Sequence, residues 1–187
     1  MSRKEFVWTN IGSRVTPDGV AHEIDTEQFR SLNQLLEDSF KKNAAKPFSV
    51  CMDRWMSYGQ LDDLSSALAA WLQNLGLEPG ARVAIMLPNV PQFAVTMAAV
   101  LRAGYTCVNV NPLYTARELE HQLKDSGATT LVILENFAAT LAEVIEKRPS
   151  KTSSWRPWVI CSASGMAAGS PLQSAILPNW FPRTSCH

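Results

Sequence analysis

Apolar positions along the first half of the chain switch between two spacings. Phe29, Leu32, Leu35, Leu36 and Phe40 recur at helical intervals. They predict a helix capped by Asp25 or Thr26 and stopped by Pro47. Residues 48–52 then read as a short strand, Asp53-Arg54 as a turn, and Trp55-Met56 as the returning strand of a hairpin. Ser57 and Gln60 stand at capping-box spacing ahead of a helix whose apolar face carries Leu61, Leu64, Leu68, Trp71, Leu72 and Leu75. Gly76 suits the C′ position that ends it, and Pro79-Gly80 turns the chain.

From there the pattern changes to continuous apolar runs. Val83-Ala84-Ile85-Met86-Leu87 has the length of a strand and no polar face, as expected of a strand covered by helices on both sides. Pro91 is placed to start a helix running to Arg102, with Gly104 beyond its end. Residues 106–110 form the next strand, and Thr115 with Glu118 repeats the capping-box spacing ahead of a helix over 116–125. Ser126-Gly127 closes that helix, residues 130–134 form another apolar strand, and 137–147 a further helix. Strands alternating with helices over short loops predict an α/β fold with a parallel sheet. No internal repeat interrupts the order.

Composition narrows the function classes. A chain of 187 residues, 46% hydrophobic, suits one domain or a domain with a tail. With 17 basic and 17 acidic residues the formal charge is zero, so no basic stripe points to nucleic acid. The N-terminal residues lack a signal-peptide core. The longest apolar run, over 93–101, falls well short of the roughly 20 residues that cross a bilayer. Cys51, Cys107, Cys161 and Cys186 have no zinc-type spacing. Cys51 and Cys107 sit in strand-like runs, as expected of reduced thiols in a cytoplasmic protein.

Three stretches carry a family resemblance. The first is Met56-Ser57-Tyr58-Gly59-Gln60-Leu61 together with residues 76–84. The second is Leu87-Pro88-Asn89-Val90-Pro91-Gln92-Phe93. The third is Leu101-Arg102-Ala103-Gly104 with Asn109-Val110-Asn111-Pro112-Leu113-Tyr114-Thr115 and the Arg-Glu-Leu-Glu-His-Gln-Leu run of 117–123. Jointly they resemble the N-terminal subdomain of the acyl-adenylate-forming (AMP-binding) enzymes, the acyl-CoA synthetase and luciferase superfamily. The third stretch, with residues 19–25, is similar to the bacterial long-chain-fatty-acid–CoA ligases. The likeness covers about 8–147.

The resemblance implies an organisation: an irregular segment over 1–25, an incomplete adenylate-forming N-terminal subdomain over 26–147, and a tail over 148–187. It implies a parent reaction in which a long-chain fatty acid attacks ATP to give an acyl-adenylate and pyrophosphate, and coenzyme A then displaces AMP. ATP, Mg²⁺ and coenzyme A are the cofactors and co-substrates implied for the parent, and none is expected to be bound by this stretch alone. The family's phosphate loop, rich in Ser, Thr and Gly and ending in Pro-Lys-Gly, does not occur in the sequence. The nearest imitation, Ser162-Ala163-Ser164-Gly165 with Gly169-Ser170, lacks the threonines and the lysine.

The residues themselves read mainly as structural, and no catalytic, cofactor-binding or metal-binding residue is assigned. Asn89, Asn109 and Asn111 stand at strand ends, where parallel sheets place sites, but satisfied turn asparagines are the better reading. Glu118 is a cap before it is an acid. His121 is expected to face solvent, His22 and His187 have no partner pattern, and Trp71 belongs to the core.

The tail is different. Trp155, Trp158 and Trp180 stand among Ser, Pro and Arg with no period beyond Val159-Ile160. Moved back by one base, its codons can encode Thr-Pro-Val-Lys at 148–151, Val-Val-Val at 153–155 and Met-Gly-Asp-Leu-Leu-Gly further on. That series resembles the strand and loop that follow this helix in the ligases, so a lost reading frame near Arg148 is expected. Without the rest of the domain, the sheet is expected to expose an apolar edge and apolar faces.

Three functions follow: part of a long-chain-fatty-acid–CoA ligase that is inactive alone, a non-catalytic module that binds acyl ligands or complements a partner chain, or an unrelated Rossmann-like domain. The last ranks lowest because no G-x-G-x-x-G follows any strand. A cytoplasmic location is expected, with peripheral association at the inner membrane left open.

Overall fold

The computed structural model describes residues 25, 27–146 and 158–162. The first helix, α1 (Leu32–Asn43), begins later than its apolar spacing suggested. Its cap is Ser31, whose Oγ accepts the Gln34 N–H at 3.2 Å. Asp25 instead accepts the Glu27 N–H at 2.9 Å, a local turn that leaves it outside the helix. Phe40, on the last turns of α1, is buried.

Strands β1 (Pro47–Cys51) and β2 (Arg54–Ser57) pair antiparallel as a separate two-stranded sheet. Cys51 faces Arg54 in the register, so the turn is Met52-Asp53, one residue earlier than expected. Both turn residues have positive φ, 48° and 61°. A two-residue hairpin demands that geometry even though neither residue is glycine or asparagine.

Helix α2 (Tyr58–Gln73) opens with the predicted capping box. The Ser57 N–H donates to Gln60 Oε1 at 2.9 Å, and the Gln60 N–H to Ser57 Oγ at 3.1 Å. After it come β3 (Arg82–Met86), α3 (Pro91–Arg102), β4 (Thr106–Asn109), α4 (Ala116–Ser126) and β5 (Thr130–Leu134). Gly104, at φ 82°, follows α3 in the left-handed conformation. The N–H groups of Gly104 and Tyr105 reach back to the carbonyls of Leu101 and Val100, which closes the helix end. A short 3₁₀ turn (Glu135–Phe137) precedes α5 (Ala138–Glu146), so the last predicted helix starts one residue later than expected.

A sixth strand, β6 (Trp158–Ser162), lies in the tail. The sheet runs β4-β3-β5-β6, all parallel, with β5 paired to β6 from Thr130↔Trp158 to Leu134↔Ser162. The α/β class with a parallel sheet is therefore the observed one. The tail also contributes regular structure, centred on Val159-Ile160, while residues 153–155, where the shifted frame places Val-Val-Val, lie outside the described residues.

The sheet's faces are not bare. Val83, Ile85 and Val132 point to one side, where they meet Leu68 and Leu72 of α2 and Val95 and Ala99 of α3. Ala84, Met86, Leu131 and Ile133 point to the other, against Leu119 and Leu123 of α4 and Leu141 and Val144 of α5. Alternation along each strand feeds two cores, one per face. On the central strands β3 and β5 the expectation of exposed apolar faces fails, because the chain's own helices cover both. Arg102, at the end of α3, ties three helices together. Its guanidinium bonds to the Asp62 carboxylate and carbonyl and to the Ser65 and Ser66 hydroxyls of α2, and lies 5.0 Å from the Phe40 ring of α1.

Candidate functional site

In a parallel sheet the C-terminal strand ends are where sites form, most of all where the strand order reverses direction. Here the chain leaves β3 for β4 on one side, then crosses to β5 on the other. The loops after β3 and β5 therefore diverge at the switch point. Asn89 lies on the first of these loops and is exposed. Asn109 and Asn111 flank Val110 at the end of β4 and are exposed too. Topology thus brings the three sequence-selected asparagines to one end of the sheet.

What two of them do there is structural. Asn111 Oδ1 accepts the Leu113 N–H at 3.0 Å, and its carbonyl accepts the Tyr114 N–H at 3.1 Å, so it shapes the Asn-Pro-Leu-Tyr turn. The Asn109 carbonyl accepts from Gln122 Nε2 at 2.8 Å, which docks α4 against the strand end. Both fit the turn and strand-end reading.

Glu118 is the cap that its spacing announced. Its Oε2 accepts from the Thr115 N–H at 2.9 Å and the Thr115 hydroxyl at 2.7 Å, while its own N–H donates to Thr115 Oγ1 at 3.4 Å. The bonds from Thr115 hold its carboxyl below the usual carboxylate range. His121 is exposed on α4. Trp71 is half-buried and packs on the core. Cys51 and Cys107 are free and half-buried. Burial pushes the Cys107 thiol up to about 11, and its Sγ lies 3.7 Å from the Met97 carbonyl. A thiol so placed is a poor nucleophile at neutral pH. Among the described residues no group of three or more His, Cys, Asp or Glu could hold a metal ion. His22, His187, Cys186 and the 163–170 part of the phosphate-loop imitation lie outside the described residues.

Sequence reasoning missed two features. Gln92, in the first turn of α3, is 6% exposed, and its Oε1 has no hydrogen-bond partner. The Arg102 cluster joins residues 36 to 40 positions apart, a separation no local pattern reveals.

Comparison with known proteins decides what this sheet belongs to. The family described as AMP-binding enzyme matches residues 36–175. The chain belongs to the AMP-binding enzyme family. The match continues past Lys147 and takes in β6. The long-chain-fatty-acid–CoA ligase of Salmonella typhimurium is 48% identical over 142 residues, 75% of this chain and 25% of that protein. The Bacillus subtilis ligase of the same name is 35% identical over 119 residues, 64% of this chain and 21% of its own. Among solved structures, a long-chain-fatty-acid–CoA ligase from Archaeoglobus fulgidus superposes with a TM-score of 0.59 at 28% identity, covering 70% of this chain and 27% of that one. An anthranilate–CoA ligase bound to anthranoyl-AMP gives 0.65 at 20% identity, over 73% and 26%. That last likeness speaks for the fold, which is that of the N-terminal subdomain of adenylate-forming enzymes. The chain spans about a quarter of the length of the curated relatives it matches most strongly. No helix among the described residues is long and apolar enough to cross a membrane.

Proposed function

We propose that this chain is the N-terminal quarter of a long-chain-fatty-acid–CoA ligase, a piece that builds fold but does no chemistry alone. The observation that carries the reading is 48% identity over 142 residues, which are 75% of this chain and 25% of the ligase it matches. The parent reaction joins a fatty acid, ATP and coenzyme A through an acyl-adenylate, in the cytoplasm. Its oxyanion and phosphate stabilisation needs donors aimed at the transferring groups. The sequence holds no Ser/Thr/Gly-rich loop ending in Pro-Lys-Gly to supply them. At the sheet end, Asn111 shapes a turn and the Asn109 carbonyl docks α4. ATP, Mg²⁺ and coenzyme A therefore belong to the parent and not to these residues.

The direct test is ATP–pyrophosphate exchange with palmitate, followed by coenzyme A. The purified chain is expected to give background exchange and no acyl-CoA. Acyl-adenylate formation by these 187 residues would overturn the reading.

The tail extends the proposal. Residues 148–151, 153–155 and 157–163 can be restored to ligase-like sequence by a one-base shift of their codons, which supports a lost frame near Arg148. The family match to residue 175 and the pairing of β6 weigh on the other side. The sequence of the gene decides between them.

A further inference from the structure

Strand β5 is shielded by its neighbours and not by its own sequence. It has β3 on one edge and β6 on the other, and its ladder to β6 steps one for one from Thr130↔Trp158 to Leu134↔Ser162. Thr130, Leu131, Val132 and Ile133 are each 2% exposed or less. Strands that must stand at a sheet edge usually carry a charge, a proline or a bulge that discourages pairing with another chain. Thr130-Leu131-Val132-Ile133-Leu134 has no charge, no proline and no glycine. Its pairing with β6 runs on without a bulge. A short, uncharged, β-branched segment of this kind pairs readily with a copy of itself.

The outer strand is built differently. β6 ends the strand order, and no described strand lies beyond it. Arg156-Pro157 stand immediately before it. A basic residue and a proline beside a short outer strand are the devices that β5 lacks. Residues 147–157 separate β6 from α5, so β6 is reached by a connection of its own. Its release breaks one ladder and leaves the β3–β4 and β3–β5 pairs intact.

We propose that β6 is a strap over a self-association site: when it leaves, the bared edge of β5 pairs with the β5 edge of a second copy. Two-fold pairing of identical edges gives the freed N–H and C=O groups partners again. The inference goes beyond the ligase reading and holds whichever frame encodes the tail.

The test uses the whole chain, as wild type and with Val159→Pro combined with Ile160→Pro. N–H groups alternate in direction along a strand, so one of these two prolines removes a donor that faces β5. The wild type is expected to sediment as a monomer. The double variant is expected to associate as its concentration rises. Residue-resolved amide exchange locates the contact. In the dilute variant, every second amide of 130–134 should exchange at least about tenfold faster than in the wild type, while the amides facing β3 keep their protection. At high concentration the lost protection should return. Association without that return overturns the proposal, as does a monomer whose β5 edge is open at every concentration, or unchanged exchange in the variant. Association that Trp55→Ser abolishes also overturns it, because the exposed hairpin would then be the contact. Should the double variant prove unfolded by circular dichroism, the wild type in mild urea serves instead. Residues 158–162 are then expected to lose protection before residues 83–86, with association following. Loss of protection in both strands together overturns the inference.

Discussion

The central strands of the parallel sheet and the hairpin both carry large apolar side chains, yet the sheet encloses them and the hairpin leaves several exposed. Ile85, Met86, Leu131 and Ile133 are fully enclosed. Val50 and Trp55 stand in water. Neighbours make the difference, not composition. The central strands β3 and β5 have helices on both faces and strands on both edges. The hairpin has α2 on one side and nothing described on the other. A subdomain taken from a larger enzyme can thus close its central layer while leaving an outlying ribbon unfinished.

The sharpest way to break this comparison is a matched pair of truncations. Ile85→Ala leaves a cavity between β3 and two helices and is expected to lower stability by about 2–5 kcal/mol in urea unfolding. Val50→Ala, on the open face, should change it by no more than about 0.5 kcal/mol. Equal losses would mean the hairpin is as enclosed as the sheet.

Next in size is the Arg102 cluster, which fixes α2 and α1 against α3. Arg102→Ala is expected to cost about 2 kcal/mol, because the guanidinium is largely buried and holds several acceptors. Asp62→Ala should cost less, since that carboxylate is more exposed and screened by water. Thermal melts of both variants and their double mutant measure the coupling.

The two capping boxes sharpen the picture further. Ser57→Ala, at the join of hairpin and α2, should cost about 1 kcal/mol at any pH between 4 and 8, because its partner Gln60 is uncharged. Thr115→Ala acts through a carboxylate. The folded state lowers the Glu118 pKa, so the stabilisation is complete above the ordinary glutamate range and is lost as pH falls through the lowered value. Melts of the wild type and Glu118→Gln between pH 2 and 7 should therefore differ in their acid-side slope.

The smallest effect belongs to Cys107. Iodoacetamide labelling should be slow at pH 8 and rise only toward pH 11. The sign for stability follows. Burial favours the neutral thiol, so its contribution is intact below the ordinary value of 9.0 and lost as pH climbs toward about 11. Rapid labelling at pH 8 would show β4 to be looser than the central strands.

Much of this was legible in the sequence because it is local. Both capping boxes, the Pro91 start of α3 and the left-handed Gly104 and Gly127 are set by residues within a turn of one another. The first helix start was misplaced because Asp25 and Ser31 are both capable caps, and only Ser31 lies beside the first helical turn. The hairpin turn shifted by one because Met52-Asp53 lacks the glycine or asparagine that usually marks such turns. Strand order, the Arg102 cluster and β6 were not readable, since each depends on partners far along the chain. The asparagines at the sheet end were visible as a group, but their turn and docking bonds needed the fold.

The account as a whole is tested most directly by sequencing the gene across the codons for Glu146 to Ser150 and on past His187. It predicts that the ligase continues downstream in the frame one base away, with a Ser/Thr/Gly-rich loop ending in Pro-Lys-Gly. Confirmation of the present frame, with no ligase sequence following in any frame, would contradict it.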